Sequence, residues 1–290
     1  MLHLILGNSP NAFACGEAVN WYRPQKAHQF ALECACGQDP CPVWTVIKDV
    51  PPQAFYATAL RELQVDFLID SSKESSWLID ARRWAATHGL RTVNLFVWKD
   101  PVDLAYSFWK RGHDVMFWRA QFVPYYRRVL AVGLPLLTVN FNDLTQSPQS
   151  KVVEVCAAIG MPYFPGKERF WEKEHHHLFG SLGIRRQVEA GDSIIQAEKR
   201  FPPEFAQRLD DLRPRIAADT EVQGLINILR RADVSYFADG SSPQQFTRKP
   251  PYPLWYYKQR ARRLWNRYFP RPHDLGKREK AATIPLQQEQ

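Results

Sequence analysis

A chain of 290 residues, 45% hydrophobic and 23% charged, can bury a substantial core and is not a disordered polymer. Its formal net charge of +8 suits a polyanionic ligand such as a nucleotide, an acidic glycan, nucleic acid or an anionic membrane, without choosing among them. No stretch approaches the roughly 20 apolar residues a spanning helix needs, and Met1 to Leu6 is too short a run, with no Lys or Arg before it, for a secretory signal. The expectation is a cytoplasmic protein, at most peripheral to a membrane.

In chain order, Met1-Leu2-His3-Leu4-Ile5-Leu6 reads as a first helix, followed by Gly7-Asn8-Ser9-Pro10 and Cys15-Gly16-Glu17. Cys34-Ala35-Cys36-Gly37 with Cys41-Pro42 is a dense cysteine cluster that could bind zinc or form a disulfide, with Cys15 as a fourth ligand. It lacks a clean pair of CxxC knuckles, and five cysteines without an export signal argue against a disulfide framework. No metal is assigned to it. Residues 51–64 and 75–88 read as helices. Between and after them, residues 65–69 and 92–97 are short apolar runs of the kind found in parallel strands covered on both faces. Each run stops at a polar turn, Asp70-Ser71-Ser72-Lys73 or Lys99-Asp100-Pro101. Pro101 suits a first helical position and Gly89 a left-handed helix stop. In open α/β sheets, anions sit beyond the carboxyl ends of strands, where helix N-termini offer unpaired N–H groups, so both turns are expected to face one anionic ligand.

Residues 115–132 read as an aromatic-rich helix, with Phe117, Trp118, Phe122, Tyr125 and Tyr126 lining either an acceptor groove or an ordinary core. Residues 136–140 are a third strand candidate, Ser147-Pro148 starts a helix that Gly160 closes, and 202–217 and 220–231 read as helices. The folded domain is expected over residues 1–235, a linker over 236–253, a basic amphipathic helix over 254–270 and a disordered tail over 271–290. On residues 254–269, Leu254, Tyr257, Ala261, Leu264, Trp265 and Tyr268 form one stripe among Lys258, Arg260, Arg262, Arg263 and Arg267. Such a helix suits either an anionic membrane surface or docking on the protein's own body. Nucleic acid is disfavoured, because no nucleic-acid-binding fold accompanies the basic residues.

DSSK, then KDP, then Ser107 on the following helix together resemble the core of the sulfotransferases that use 3′-phosphoadenylyl sulfate (PAPS). In that family a strand ends in Arg-Asp-Pro, and a later serine joins the arginine on the 3′-phosphate; Lys99 stands where the arginine would be. Asn140-Phe141-Asn142-Asp143-Leu144 with Pro148 looks like the family's Tyr-Glu-Asp-Leu…Pro segment, and His175-His176-His177-Leu178-Phe179-Gly180-Ser181 like its late His…Gly-Asn loop. Some bacterial sulfotransferase-like sequences also carry a Cys-x-Cys-Gly…Cys-Pro insert, so the resemblance implies that the Cys34, Cys36 and Cys41 cluster is a small structural insert. The agreement keeps one order over residues 2–186, which is stronger than any single short motif. The implied fold is a three-layer, P-loop-like parallel sheet flanked by helices, with the first strand apparently missing. The family's opening strand and Arg-Ser-Gly-Ser-Thr-type loop, which cradles the 5′-phosphosulfate, has no counterpart before Leu2, and neither GxxxxGK[ST] nor GxGxxG occurs. The expectation is a coding frame extending upstream of Met1.

The resemblance implies sulfuryl transfer from PAPS to a hydroxyl of a glycan, lipid or other small acceptor. A non-catalytic binding protein on a degenerate form of the fold is the alternative. Glu17 is the implied general base, or else an exposed loop glutamate. Lys73 is the cation at the departing phosphate, as in tyrosylprotein sulfotransferases, or else a surface lysine set against a helix dipole. Lys99 and Ser107 are implied at the 3′-phosphate, with lysine lacking arginine's planar two-point grip. Ser72 either contacts the donor or caps the following helix. Ser181 and Arg185, with Arg186, are further nucleotide contacts, and His176 and His177 either touch the acceptor or finish a helix.

Overall fold

The computed structural model describes residues 1–25, 29, 34–179 and 201–237, and positions 254, 257, 258 and 261. It is a mixed α/β structure, mostly helical, with two small parallel sheets of two strands each among the described residues. Two compact units divide the chain: Met1–Leu90 with Lys173–Arg186 and Pro250–Gln290, and Arg91–Glu172 with Gln187–Lys249.

In the first unit, α1 (Leu2–Gly7) leads into β1 (Ala12–Gly16), then α2 (Ala18–Tyr22), α3 (Pro42–Ile47), α4 (Phe55–Glu62), β2 (Phe67–Asp70) and α5 (Ser75–Thr87). Strands β1 and β2 pair in parallel from Ala12 opposite Phe67 to Gly16 opposite Asp70, with a register shift between Ala14 and Gly16. The sequence reading missed β1. Its residues, Ala-Phe-Ala-Cys-Gly, contain no β-branched side chain and so lack the usual strand signature. Small residues serve close packing here: a Cβ placed on Gly7 of α1 would lie 2.6 Å from that of Ala14. The core gathers Phe13, Trp44, Phe55, Trp77, Trp84 and Leu178, with Trp44 stacked on Phe55.

The second unit runs β3 (Leu95–Trp98), α6 (Pro101–Trp109), α7 (Phe117–Ala131), β4 (Leu137–Asn140), α8 (Phe141–Gln146), α9 (Pro148–Ile159), α10 (Pro203–Ala206), α11 (Leu209–Ala218) and α12 (Thr220–Arg231). Strands β3 and β4 pair in parallel from Leu95 opposite Leu137 to Trp98 opposite Asn140. Trp98, Trp118, Phe122, Phe205, Leu212 and Leu229 belong to its core. Most of the α7 rings therefore pack inward: Trp118, Phe122 and Tyr126 are buried and Phe117 is half-buried, whereas Tyr125 is exposed. Gly160 closes α9 in the left-handed conformation, as its sequence position suggested. The expected single helix over 202–217 is instead two, α10 and α11, parted by a turn at Gln207 and Arg208.

Coverage of the strands differs from expectation. All four residues of β2 are half-buried and Val97 of β3 is 39% exposed, whereas every residue of β1 and β4 is buried. Apolar runs do not reveal how many neighbours a strand has. β4 gains cover at its second edge from residues 232–234: Thr138 N–H donates to Ala232 O at 2.8 Å and its hydroxyl to Leu229 O at 2.6 Å.

Candidate functional site

Glu17 follows directly on β1 and Lys73 follows closely on β2, so the parallel pairing brings together side chains 56 residues apart. The Lys73 ammonium donates to Glu17 Oε1, and Asn20 Nδ2 donates to Glu17 Oε2 at 2.8 Å. The backbone beneath is fixed from the late histidine segment. Leu178 N–H donates to Cys15 O at 3.0 Å, and Glu17 N–H donates to Leu178 O at 3.2 Å. Gly16 permits this approach. It has a φ of +79°, and a Cβ there would come within 2.0 Å of Leu178 O.

Ser72 stands beside Lys73 but faces inward. Its hydroxyl donates to Asp70 Oδ1 at 2.5 Å and accepts from Val19 N–H at 2.9 Å. It thus satisfies an orphan donor of α2 rather than capping α5, whose N-cap position is Glu74 with no side-chain cap bond. Asp70 organises the turn further by accepting from Tyr56 OH and Trp77 Nε1, both at 2.7 Å. Sequence reading had not singled out Asp70 for this role. The signal was available in its place at a strand end, followed by two serines.

Of the three consecutive histidines, His176 and His177 occupy different settings. His177 packs edge-on against His3 at 5.7 Å between ring centroids, and burial, followed by the charge of its neighbours, holds His3 well below the usual imidazole range. His176 instead turns Nδ1 toward Cys34 Sγ at 4.0 Å and Cys41 Sγ at 3.5 Å. The donor atoms of Cys34, Cys36, Cys41 and His176 all lie within 4.8 Å of one another. Cys15, the fourth ligand suggested by sequence, is elsewhere: its buried thiol donates to Ile69 O at 3.2 Å, and burial pushes its pKa well up. His176 was missed as a partner of the cysteines because 135 residues separate it from Cys41.

In the second unit, Lys99 and Asp100 lie at the end of β3 and engage the segment that ends β4. Lys99 Nζ sits 4.6 Å from the centroid of the Phe141 ring, and Asn142 Nδ2 donates to the Asp100 carboxylate at 2.8 Å. Two sequence motifs about 40 residues apart thereby meet. Pro101 occupies the start of α6, as expected. Ser107 Oγ donates to Asp103 O at 2.9 Å, one turn back along α6. Ser181, Arg185 and Arg186 lie outside the described residues. Of the C-terminal stripe, Leu254, Tyr257 and Ala261 are helical, with Leu254 79% exposed and Tyr257 45% exposed. Among the described residues, no helix is long and apolar enough to cross a membrane.

No family model, no curated protein and no solved structure matches this chain.

Proposed function

We propose that this chain carries the acceptor and nucleotide elements of a PAPS-dependent sulfotransferase, on an α/β fold of the three-layer, P-loop-like class. The observation that carries the reading is the meeting of Glu17 and Lys73 at the carboxyl ends of a parallel strand pair. In the proposed reaction Glu17 takes the proton of an acceptor hydroxyl, and the acceptor oxygen attacks the sulfur of PAPS. The sulfur–oxygen bond to the 5′-phosphate breaks, and Lys73 neutralises the charge left on 3′-phosphoadenosine 5′-phosphate (PAP). Lys99 is the proposed 3′-phosphate contact and Ser107 its partner. The acceptor is a hydroxyl of a glycan, lipid or other small molecule, and an anionic membrane is the proposed partner of residues 254–269.

Calorimetric titration of the purified chain with PAP and with adenosine 5′-phosphate, beside transfer of labelled sulfate from PAPS to a panel of sugars and lipids, tests this. Selective PAP binding with transfer supports the reading. Selective binding without turnover supports a non-catalytic binding protein, and no preference for PAP defeats both.

A further inference from the structure

We propose that Cys34, Cys36, Cys41 and His176 form a structural zinc(II) site, a proposal independent of the sulfuryl-transfer reading. A tetrahedral zinc with Zn–S near 2.3 Å and Zn–N near 2.0 Å implies sulfur–nitrogen separations of roughly 3.5 Å and sulfur–sulfur separations of roughly 3.8 Å. The thiols of Cys41 and Cys34 lie 3.5 and 4.0 Å from His176 Nδ1, and no pair among the four donors exceeds 4.8 Å. A contraction of at most about an ångström would complete the tetrahedron.

The donor set is three thiols and one imidazole, which selects zinc over the hard cations that prefer oxygen. Four protein donors close the coordination sphere and leave no position for substrate, the mark of a structural centre. With Nδ1 toward the metal, the imidazole proton resides on Nε2, which lies 3.7 Å from the Glu174 carboxylate. Such an outer carboxylate orients a ligating histidine. On binding, each of the three thiols loses its proton to solvent and becomes a thiolate, while His176 binds as the neutral ring.

The backbone is arranged for convergence before any metal arrives. Gly37 N–H donates to Cys34 O at 3.1 Å, and Gly37 has a φ of +70°, folding Cys34 and Cys36 into one tight turn. Cys41 is the residue before Pro42, the first residue of α3. Ala35 N–H donates to His177 O at 3.0 Å, and Trp44 Nε1 donates to His176 O at 2.6 Å. Cys15 and Cys156 are buried, and among the described residues neither belongs to such a convergence of donors. The metal would tie the 34–41 insert to the histidine segment whose Leu178 pins Glu17. Its role is then to hold the backbone behind Glu17.

The test uses the full chain, purified reduced, loaded with zinc(II) and desalted. About one zinc per chain is expected by mass spectrometry of the metal. Cobalt(II) in its place should give the strong visible bands of a tetrahedral ion and a thiolate-to-cobalt charge-transfer band. Cys36→Ser and Cys41→Ser should each lose the metal and that band, while Cys15→Ser and Cys156→Ser retain both. A strong chelator should lower the thermal midpoint of the unmutated chain, and zinc should restore it, a readout that does not depend on any variant folding. The proposal is overturned if the reduced chain takes up no zinc, if Cys36→Ser with Cys41→Ser still holds it, or if thiol titration shows a disulfide within the cluster that forms in preference to metal binding.

Discussion

Glu17 and Lys73 form an ion pair in which the carboxylate is well covered and the ammonium is not, with side-chain exposures of 18% and 71%. Asn20 and the Leu178 backbone hold the acid in place, while the lysine reaches it from solvent. An ion pair with so exposed a member is worth at most about 1 kcal/mol, so the pair is a weak device for stability. Lys73→Ala should therefore shift the urea unfolding midpoint little; under the proposed sulfuryl-transfer reading it should also lower transfer by ~100-fold or more with PAP affinity nearly intact. A variant with normal turnover would remove Lys73 from the chemistry.

Ser72 gives the opposite expectation. Its hydroxyl is buried between Asp70 and the first turn of α2, and Ser72→Ala strands both the Val19 N–H and one bond to the carboxylate. A loss of roughly 1–3 kcal/mol in folding stability is expected, without a specific loss of nucleotide affinity. Denaturant titration measures the first and calorimetry with PAP the second. Weakened PAP binding at unchanged stability would instead make Ser72 a donor contact.

At Gly16 the conformation and the space both exclude a side chain. Its φ is +79°, and a Cβ would press within 2.0 Å of Leu178 O. The backbone strain alone is on the order of 1–3 kcal/mol for Gly16→Ala, and displacement of the Leu178 contact adds to it. Thermal unfolding should show a drop larger than that of Gly37→Ala, where φ is also positive but no described residue lies within 4 Å of the added Cβ. Equal drops for the two would mean that the Leu178 contact yields without cost.

Much of this arrangement was legible in the sequence, for identifiable reasons. Helix α12 spans Thr220–Arg231, the bounds expected from its pattern, because Asp219 caps it and its apolar residues recur on one face. Strand β4 was recognisable because Leu-Thr-Val-Asn carries β-branched residues into a polar turn. Strand β1 was invisible because its residues were chosen for close approach to α1. The thiol cluster was only half legible: Cys-x-Cys-Gly announces a turn, but the fold alone brings His176 to it, and the inward turn of Ser72 depends on α2, 53 residues earlier.

Lys99 is tested by nucleotides that differ in one phosphate. The ammonium lies over the Phe141 ring at the end of β3, where it adds a cation beside the Asp100 turn. Lys99→Ala should weaken PAP more than adenosine 5′-phosphosulfate, which has no 3′-phosphate, by about tenfold in the ratio of the two affinities, equivalent to ~1.4 kcal/mol. Equal losses for both ligands would leave Lys99 a merely structural residue.

Acid should unfasten the cap of α12. The Asp219 side chain accepts from Val222 N–H at 3.1 Å, from Arg119 Nε at 2.5 Å and more weakly from Arg119 Nη2 at 3.4 Å, and the Arg119 hydrogen bond foremost holds its carboxyl below the usual carboxylate range. A carboxyl depressed in the folded state stabilises fully above its unfolded pKa, about 3.9, and that contribution fades as pH falls through the folded value. Arg119 is 43% exposed, so solvent screens the pair and the effect should be modest. Asp219→Asn keeps an oxygen for the cap but not the charge. Urea midpoints of the two proteins should differ at neutral pH, with the wild type more stable, and converge as pH falls from about 5 toward about 2. A gap that stayed constant over that range would assign the stabilisation to the cap geometry alone and remove the charge of Asp219 from it.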